Sequence, residues 1–327
     1  MTKPVLAIAA LGGTVSMQAQ AGHRGVMPSL TGEAMLAAVP GLSALADVHA
    51  ETLCLRPSAS LDFEDLLRLL DWANRQVDSG AQGVIVTQGT DTMDETAFFL
   101  DLLWEKDAPL IITGAMRAAT QPGADGPANL LAAAQVALDE GSCRRGVQVV
   151  MNDQIHSARH VSKCDSLAVH AFASPLFGPQ GLIIEGRAVY LKPAHTRSTL
   201  PAPERRHHHI ALLEATLGDA PLILERVVDL GYSGVVIAGF GAGHVSREWA
   251  QVIGNLAATI PVIVSTRTGS GSTARETYGF EGAELDLISK GARMSGLLSA
   301  RKARILLWLL VGCKRESELE DWLATTY

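Results

Sequence analysis

The chain has 327 residues, 47% apolar and 19% charged, which excludes a disordered chain and leaves room for two cores of ordinary size. Its 27 Lys and Arg against 34 Asp and Glu give a formal charge of −7, so no basic surplus exists to hold nucleic acid or an anionic membrane. Four cysteines (Cys54, Cys143, Cys164, Cys313) stand far apart, without CxxC or Cys/His ligand spacing, which excludes a disulfide scaffold and a zinc site and fits free thiols in a cytoplasmic chain.

Residues 4–10 read as a first strand, because the short apolar run leads into a Gly-Gly turn with no cleavage-like site. Thr31 reads as the N-cap of a helix in TGEAMLAAV. Residues 48–55 are strand-like, and 61–77 carry Leu66, Leu69, Leu70, Ala73 and Val77 at helical spacing. Residues 83–86, 110–113 and 147–151 read as buried strands, separated by helices near 95–105 and 127–139. Strands buried on both faces and alternating with helices predict an α/β fold with a doubly wound, mainly parallel sheet.

The period lapses after residue 192, where KPAHTRSTLPAPERRHHH reads as a linker over 193–209. His207, His208 and His209 are adjacent, and adjacent side chains do not converge on one ion, so no metal is expected there. The rhythm then resumes: strand 210–213, helix 220–230, strand 234–238, helix 247–257, strand 261–265, and helices near 299–311 and 316–325. The organisation expected is therefore a larger N-terminal domain (1–192) and a smaller C-terminal α/β domain (210–327). The longest apolar stretches are too short to span a membrane.

In open α/β sheets ligands bind beyond the carboxyl ends of the strands, and three polar clusters fall at such ends. LGGTVSM offers backbone N–H groups at Gly12 and Gly13 and the hydroxyl of Thr14. TQGTDTMDET comes directly after the strand at 83–86, and ARHVSKCD brings in Lys163. Together they supply a hydroxyl nucleophile (Thr14 or Thr90), a base, a cation, a carboxylate and oxyanion donors, the parts needed to hydrolyse a carbonyl compound. Asp91 beside Lys163 would hold the ammonium; a neutral lysine or a relay through Thr90 would serve as base. Taken singly, each piece has a plainer reading: a turn, a helix cap, a surface lysine.

These stretches resemble the bacterial-type L-asparaginases and their glutaminase-asparaginase relatives, which carry an LGGTI-like turn near the N-terminus and a later HGTDTMEET-like strand-turn-helix. The resemblance continues through ITGAMRAATQPGADGPANL and GVQVVMNDQIHSARHVSK and returns in SGVVIAGFGAGHV and LLSARKARILL. It implies a threonine amidohydrolase without metal or cofactor, acting on asparagine or a related small amide. By this resemblance Thr14 is the nucleophile, Thr90, Asp91 and Lys163 complete the catalytic set, and Gly13 gives an oxyanion N–H. It also implies a homotetramer or homodimer with sites at subunit interfaces and an N-terminal loop acting as a lid.

The substrate-reading set departs from the family pattern. The lid, 15–27, has no tyrosine; His23 and Arg24 are the stand-ins. In RPSASLD, Ser58 is kept, Ala59 replaces a glutamine, and Arg56 is either a fork for a carboxylate or a surface arginine. Gln88 sits at the strand end, and His244 stands where relatives often carry asparagine. Glu276 and Glu281 are the candidates for the acid that meets a substrate amine. Such losses bear on specificity, so a different amide or a lactone is the alternative substrate. GFGAGH lacks the last glycine of a dinucleotide fingerprint and any suitably spaced acid, which argues against that class. A non-catalytic binding protein is the remaining alternative; retention of Thr14, Thr90, Asp91 and Lys163 together argues against it.

Overall fold

Strands β1 (Val5–Ala10), β5 (Gly83–Thr87), β6 (Leu110–Thr113) and β7 (Val147–Met151) are apolar along nearly their whole length and almost wholly buried, as strands covered on both faces must be. They belong to a computed structural model that describes residues 3–13, 39 and 41–325 in full and residues 17–19 and 26–28 as backbone. Thr14, most of the 15–27 lid with His23 and Arg24, and the helix expected at Thr31 lie outside the described residues. The chain divides into two units, Met1–Thr199 and Leu200–Tyr327.

In the first unit, backbone pairs β2 (Met17–Ala19) and β3 (Val26–Pro28) run antiparallel. The main sheet has eight strands. Five are parallel, in the order β7-β6-β5-β1-β4, with β4 (Asp47–Thr52) at the edge. An antiparallel extension was not expected from the sequence: β8 (Gln154–Ser157) pairs with β7, and β11 (Gly181–Ile184) lies between β8 and β12 (Arg187–Tyr190). A separate two-residue pair joins β9 (Ser162–Lys163) to β10 (Phe172–Ala173).

Among the described residues, four helices punctuate this unit: the single turn α1 (Leu42–Leu45), then α2 (Phe63–Asp78), α3 (Met93–Asp101) and α4 (Gly126–Ala137). Asp62 caps α2 in a reciprocal capping box with Asp65. Leu6, Ile8, Ile85 and Ile111 pack against Leu130, Ala133 and Val136 of α4. Each such aliphatic side chain contributes roughly 1.5–3 kcal/mol on burial, so the strand ends are rigid platforms for the loops that leave them.

In the second unit β13 (His209–Glu214), β14 (Tyr232–Gly239), β15 (Val262–Thr266) and β16 (Arg293–Met294) form one parallel sheet. The helices are α5 (Arg247–Ala257), α6 (Glu284–Ser289), α7 (Ala300–Gly312) and α8 (Leu319–Thr325). The helix expected at 220–230 is instead a series of isolated turns around a 3-10 segment, Leu224–Arg226. Leu224 and Val227 turn inward, while Leu217, Leu222, Ile223 and Leu230 stay exposed, too few inward apolar residues to hold a helix face on the core.

The stretch read as a linker is anchored at both ends. Arg197 bonds Asp101 within the first unit. His208 is buried against Trp308, its ring stacked at 4.9 Å and Nε2 donating to the Trp308 carbonyl at 2.9 Å. The histidine run is thus spent on packing at His208, while exposed His209 opens β13. No helix among the described residues is long and apolar enough to cross a membrane.

Candidate active site

The carboxyl ends of β1 and β5 lie side by side, with Ala10 opposite Thr87. The turn after β1 must then pass against the turn after β5, and only glycine permits the approach. Gly13 has φ +86°, and a Cβ there would fall 2.0 Å from the Gly89 nitrogen. Gly12 (φ +101°) is pressed in the same way against the backbone of Arg56. The residue just ahead of Thr14 is therefore locked onto the residue just ahead of Thr90.

Beyond Gly89 the chain makes one 3-10 turn, Thr90–Thr92, and enters α3. This turn presents Thr90 and Asp91 to Lys163, which arrives from β9. Lys163 Nζ donates to Thr90 Oγ1 at 2.9 Å and to Asp91 Oδ1 at 2.7 Å. The lysine side chain is largely buried and the Asp91 carboxylate is open on its outer side. A hydroxyl, an amine and a carboxylate in one hydrogen-bonded chain can pass a proton among themselves without further movement.

Ser58 is buried in the 3-10 turn Ser58–Ser60. Its Oγ accepts from the Asp91 N–H at 3.2 Å, and its carbonyl accepts from Thr92 Oγ1 at 3.1 Å. A hydroxyl that accepts from the protein still has its own proton to donate, so Ser58 both braces the Thr90–Asp91 turn and keeps a donor.

Two expected binding residues are otherwise engaged. Arg56 donates to Asp65 Oδ2 at 2.8 Å, and Arg68 pairs with the other oxygen of the same carboxylate; this internal ion pair is neither of the two readings offered for Arg56. Gln88 is fully buried, with Nε2 on the Gly89 carbonyl at 3.3 Å. It forms part of the strand end rather than an open wall of the site.

In the second unit β14 runs into the turn Phe240–His244, closed by the Phe240 N–H on the His244 carbonyl at 2.7 Å. The acid that bonds His244 is a third one, distinct from the two candidates for a substrate amine. Glu276 is exposed, and Glu281 is exposed and paired with Arg247 at 2.9 Å. The partner is Glu284, fully buried at the start of α6, whose Oε2 accepts from His244 Nε2 at 3.2 Å. Its Oε1 accepts the backbone N–H groups of Thr277 and Tyr278. Burial alone would raise this carboxyl, but the backbone donors, with help from His244, hold it below its ordinary value. The imidazole edge meets the rings of Tyr278 and Phe280 at 4.9 and 5.2 Å. Sequence reasoning missed Glu284; the signal available was an acid at the first position of a short apolar helix, able to reach back to loop amides. Among the described residues no group of three or more His, Cys, Asp or Glu is placed to hold a metal ion.

Comparison with known proteins matches both halves of the chain. Residues 5–196 fit the family model described as asparaginase, N-terminal, and residues 209–322 the glutaminase/asparaginase C-terminal domain. A probable periplasmic L-asparaginase of Haemophilus influenzae is 34% identical over 94% of this chain and 88% of its own length. L-asparaginase 2 of Escherichia coli is also 34% identical, with the same coverage. The crystal structure of a probable cytoplasmic L-asparaginase from Campylobacter jejuni superposes with a TM-score of 0.89 at 30% identity, covering 99% of this chain and all of that one. With both family domains matched in order over nearly the whole sequence, the chain belongs to the bacterial-type asparaginase family.

Proposed function

We propose that the chain is a threonine amidohydrolase that cleaves the side-chain amide of L-asparagine, or a closely related small amide, to a carboxylate and ammonia. The observation that carries this is the Thr90–Lys163–Asp91 chain of hydrogen bonds, set beside a glycine turn that leads directly into a second threonine.

The reaction uses that arrangement. Thr14 Oγ attacks the amide carbon, its proton passes to the Thr90–Lys163 relay, and the oxyanion is met by the Gly13 N–H. Collapse expels nitrogen, which takes a proton from the relay and leaves as ammonia. Water then attacks the acyl-threonine ester and releases the carboxylate. Asp91 keeps the lysine on the relay throughout, and the Ser58 hydroxyl is available to a substrate carboxylate. The reading extends to a cytoplasmic homo-oligomer, tetramer or dimer, with a second copy completing the site. Sedimentation and cell fractionation test that extension.

The direct test of the activity is ammonia release from asparagine, glutamine and a panel of simple amides, run beside a lactone panel. Turnover of asparagine above all others is the expected result. Absence of ammonia from every amide removes the basis of the proposal, and hydrolysis of lactones alone overturns the amide assignment.

A further inference from the structure

Helix α3 does more than follow the turn that carries Thr90 and Asp91. Two of its acids, Asp94 and Asp101, are seven residues apart, so they share one face about 10 Å apart along the axis. Both are almost completely buried, at 2% and 1% exposure. A buried carboxylate is costly unless it is bonded, and both bond to the same neighbouring segment. Asp101 Oδ2 accepts from Arg159 Nε at 2.8 Å, and Asp94 Oδ2 accepts from the backbone N–H of Lys163 at 3.3 Å. Those two donors are four positions apart in one short segment, so a single face of α3 holds that segment at two points.

Simpler roles account for each acid only in part. Asp94 sits in the first turn of α3 and its Oδ1 accepts from the Glu95 N–H, which is ordinary stabilisation of a helix N-terminus worth about 0.3–1 kcal/mol. Glu95, one residue on, supplies the same charge, so a helix dipole does not require an acid at 94 to be buried. Asp101 also accepts from Val147 N and Arg197 Nη1, which ties the start of β7 to the same helix. Lys163 also pairs with Phe172 in a strand pair two residues long, continued by the Cys164 N–H on the Ala171 carbonyl at 2.7 Å, a short ladder that guides the backbone without fixing the side chain.

We infer that Asp94 is a positioning residue for catalysis: with Asp101 as the far anchor, it fixes the backbone of Lys163 so that Nζ meets Thr90 Oγ1 and Asp91 Oδ1. The helix that continues from the turn bearing the hydroxyl and the acid thus also sets where the amine stands. This rests on the amidohydrolase reading for its kinetic consequence but not for its geometric one.

The experiment compares the full-length protein with Asp94→Ala and Asp94→Asn, each assayed for ammonia release per folded enzyme across pH, with crystal structures of all three. Asn keeps a carbonyl oxygen able to accept from the Lys163 N–H; Ala does not. The expected result is a kcat lowered by about 10- to 100-fold in Asp94→Ala, the size of loss a displacement near 1 Å produces. KM should stay within about threefold, because substrate-binding groups are untouched. The pH dependence of kcat should shift in Asp94→Ala, and Asp94→Asn should recover most of the rate with the wild-type profile. A merely structural acid would lower the melting temperature in both variants and leave kcat per folded enzyme and its pH profile unchanged; that result overturns the inference. Should the wild type release no ammonia, the amidohydrolase reading fails by itself and the crystal structures decide. Nζ displaced from Thr90 in Asp94→Ala but not in Asp94→Asn upholds the anchor, and Nζ unmoved in Asp94→Ala overturns it. If Asp94→Ala does not fold, Asp94→Leu, which fills the space without an acceptor, replaces it with the same two outcomes.

Discussion

Both units place polar groups beyond the carboxyl end of a central parallel strand, yet they build different things there. After β5 the groups form a hydrogen-bonded chain of hydroxyl, amine and carboxylate, partly open to solvent at Asp91. After β14 they form a fixed polar element, with one imidazole held by a fully buried glutamate and edged by two exposed aromatic rings. The first can move protons; the second holds a fixed polar edge in an apolar frame. On the function proposed here, the same βα architecture separates chemistry from recognition in the turn that leaves the strand, not in the strand itself.

That division can be broken by mutation. Thr90→Val, which keeps the shape and removes the hydroxyl, should lower kcat by about 10³-fold with little change in melting temperature. Lys163→Met should come next at about 10²-fold, also in kcat. In the second unit the balance should reverse. Glu284→Gln weakens the grip on His244 and its loop, and KM should rise by about 10- to 100-fold, with kcat within about threefold. A kcat collapse in Glu284→Gln with KM unchanged would erase the proposed distinction.

A smaller effect sharpens the contrast between the histidines. His244 has a carboxylate partner, whereas His156 is fully buried on β8. Its Nδ1 bonds Ser174 at 2.9 Å, and its Nε2 has no partner among the described residues. Burial, with a lesser push from Lys192, lowers His156 to about 4. Between about pH 6.5 and 4 the unfolded chain therefore holds a proton that the folded chain does not, and stability falls as the pH drops through that window. The loss from pH 7 to 5 is about 2 kcal/mol from this group. Urea melts of His156→Gln should lack that component, while kcat at pH 7 stays at the wild-type value. An unchanged pH slope would mean that His156 is not the buried proton acceptor inferred from its surroundings.

Much of the first region was legible because parallel strands announce themselves as unbroken apolar runs and their ends collect the polar residues. The strands at 110–113 and 147–151 could be read from that alone, whereas the Thr90–Asp91–Lys163 grouping stood out only with the family resemblance beside it. The second region was less legible. Glu276, Glu281 and Glu284 lie in one glycine-rich stretch without a period, and only the packing of α6 singles out the third. Arg56 could not be resolved from sequence because its partner, Asp65, is reached across a turn and shared with Arg68. The antiparallel strands over 154–190 escaped notice because four-residue strands leave too few alternations to read. At 220–230 the leucines and valines imitate a helix face, but most of them point outward.

The most direct test of the central claim is the rate of ammonia release from L-asparagine by the wild type and by Thr90→Val, both matched for folded protein. The account predicts ready turnover by the wild type and a loss of about 10³-fold in kcat for the variant. Equal rates in the two proteins would contradict it, because a relay that works without the Thr90 hydroxyl is not the relay described.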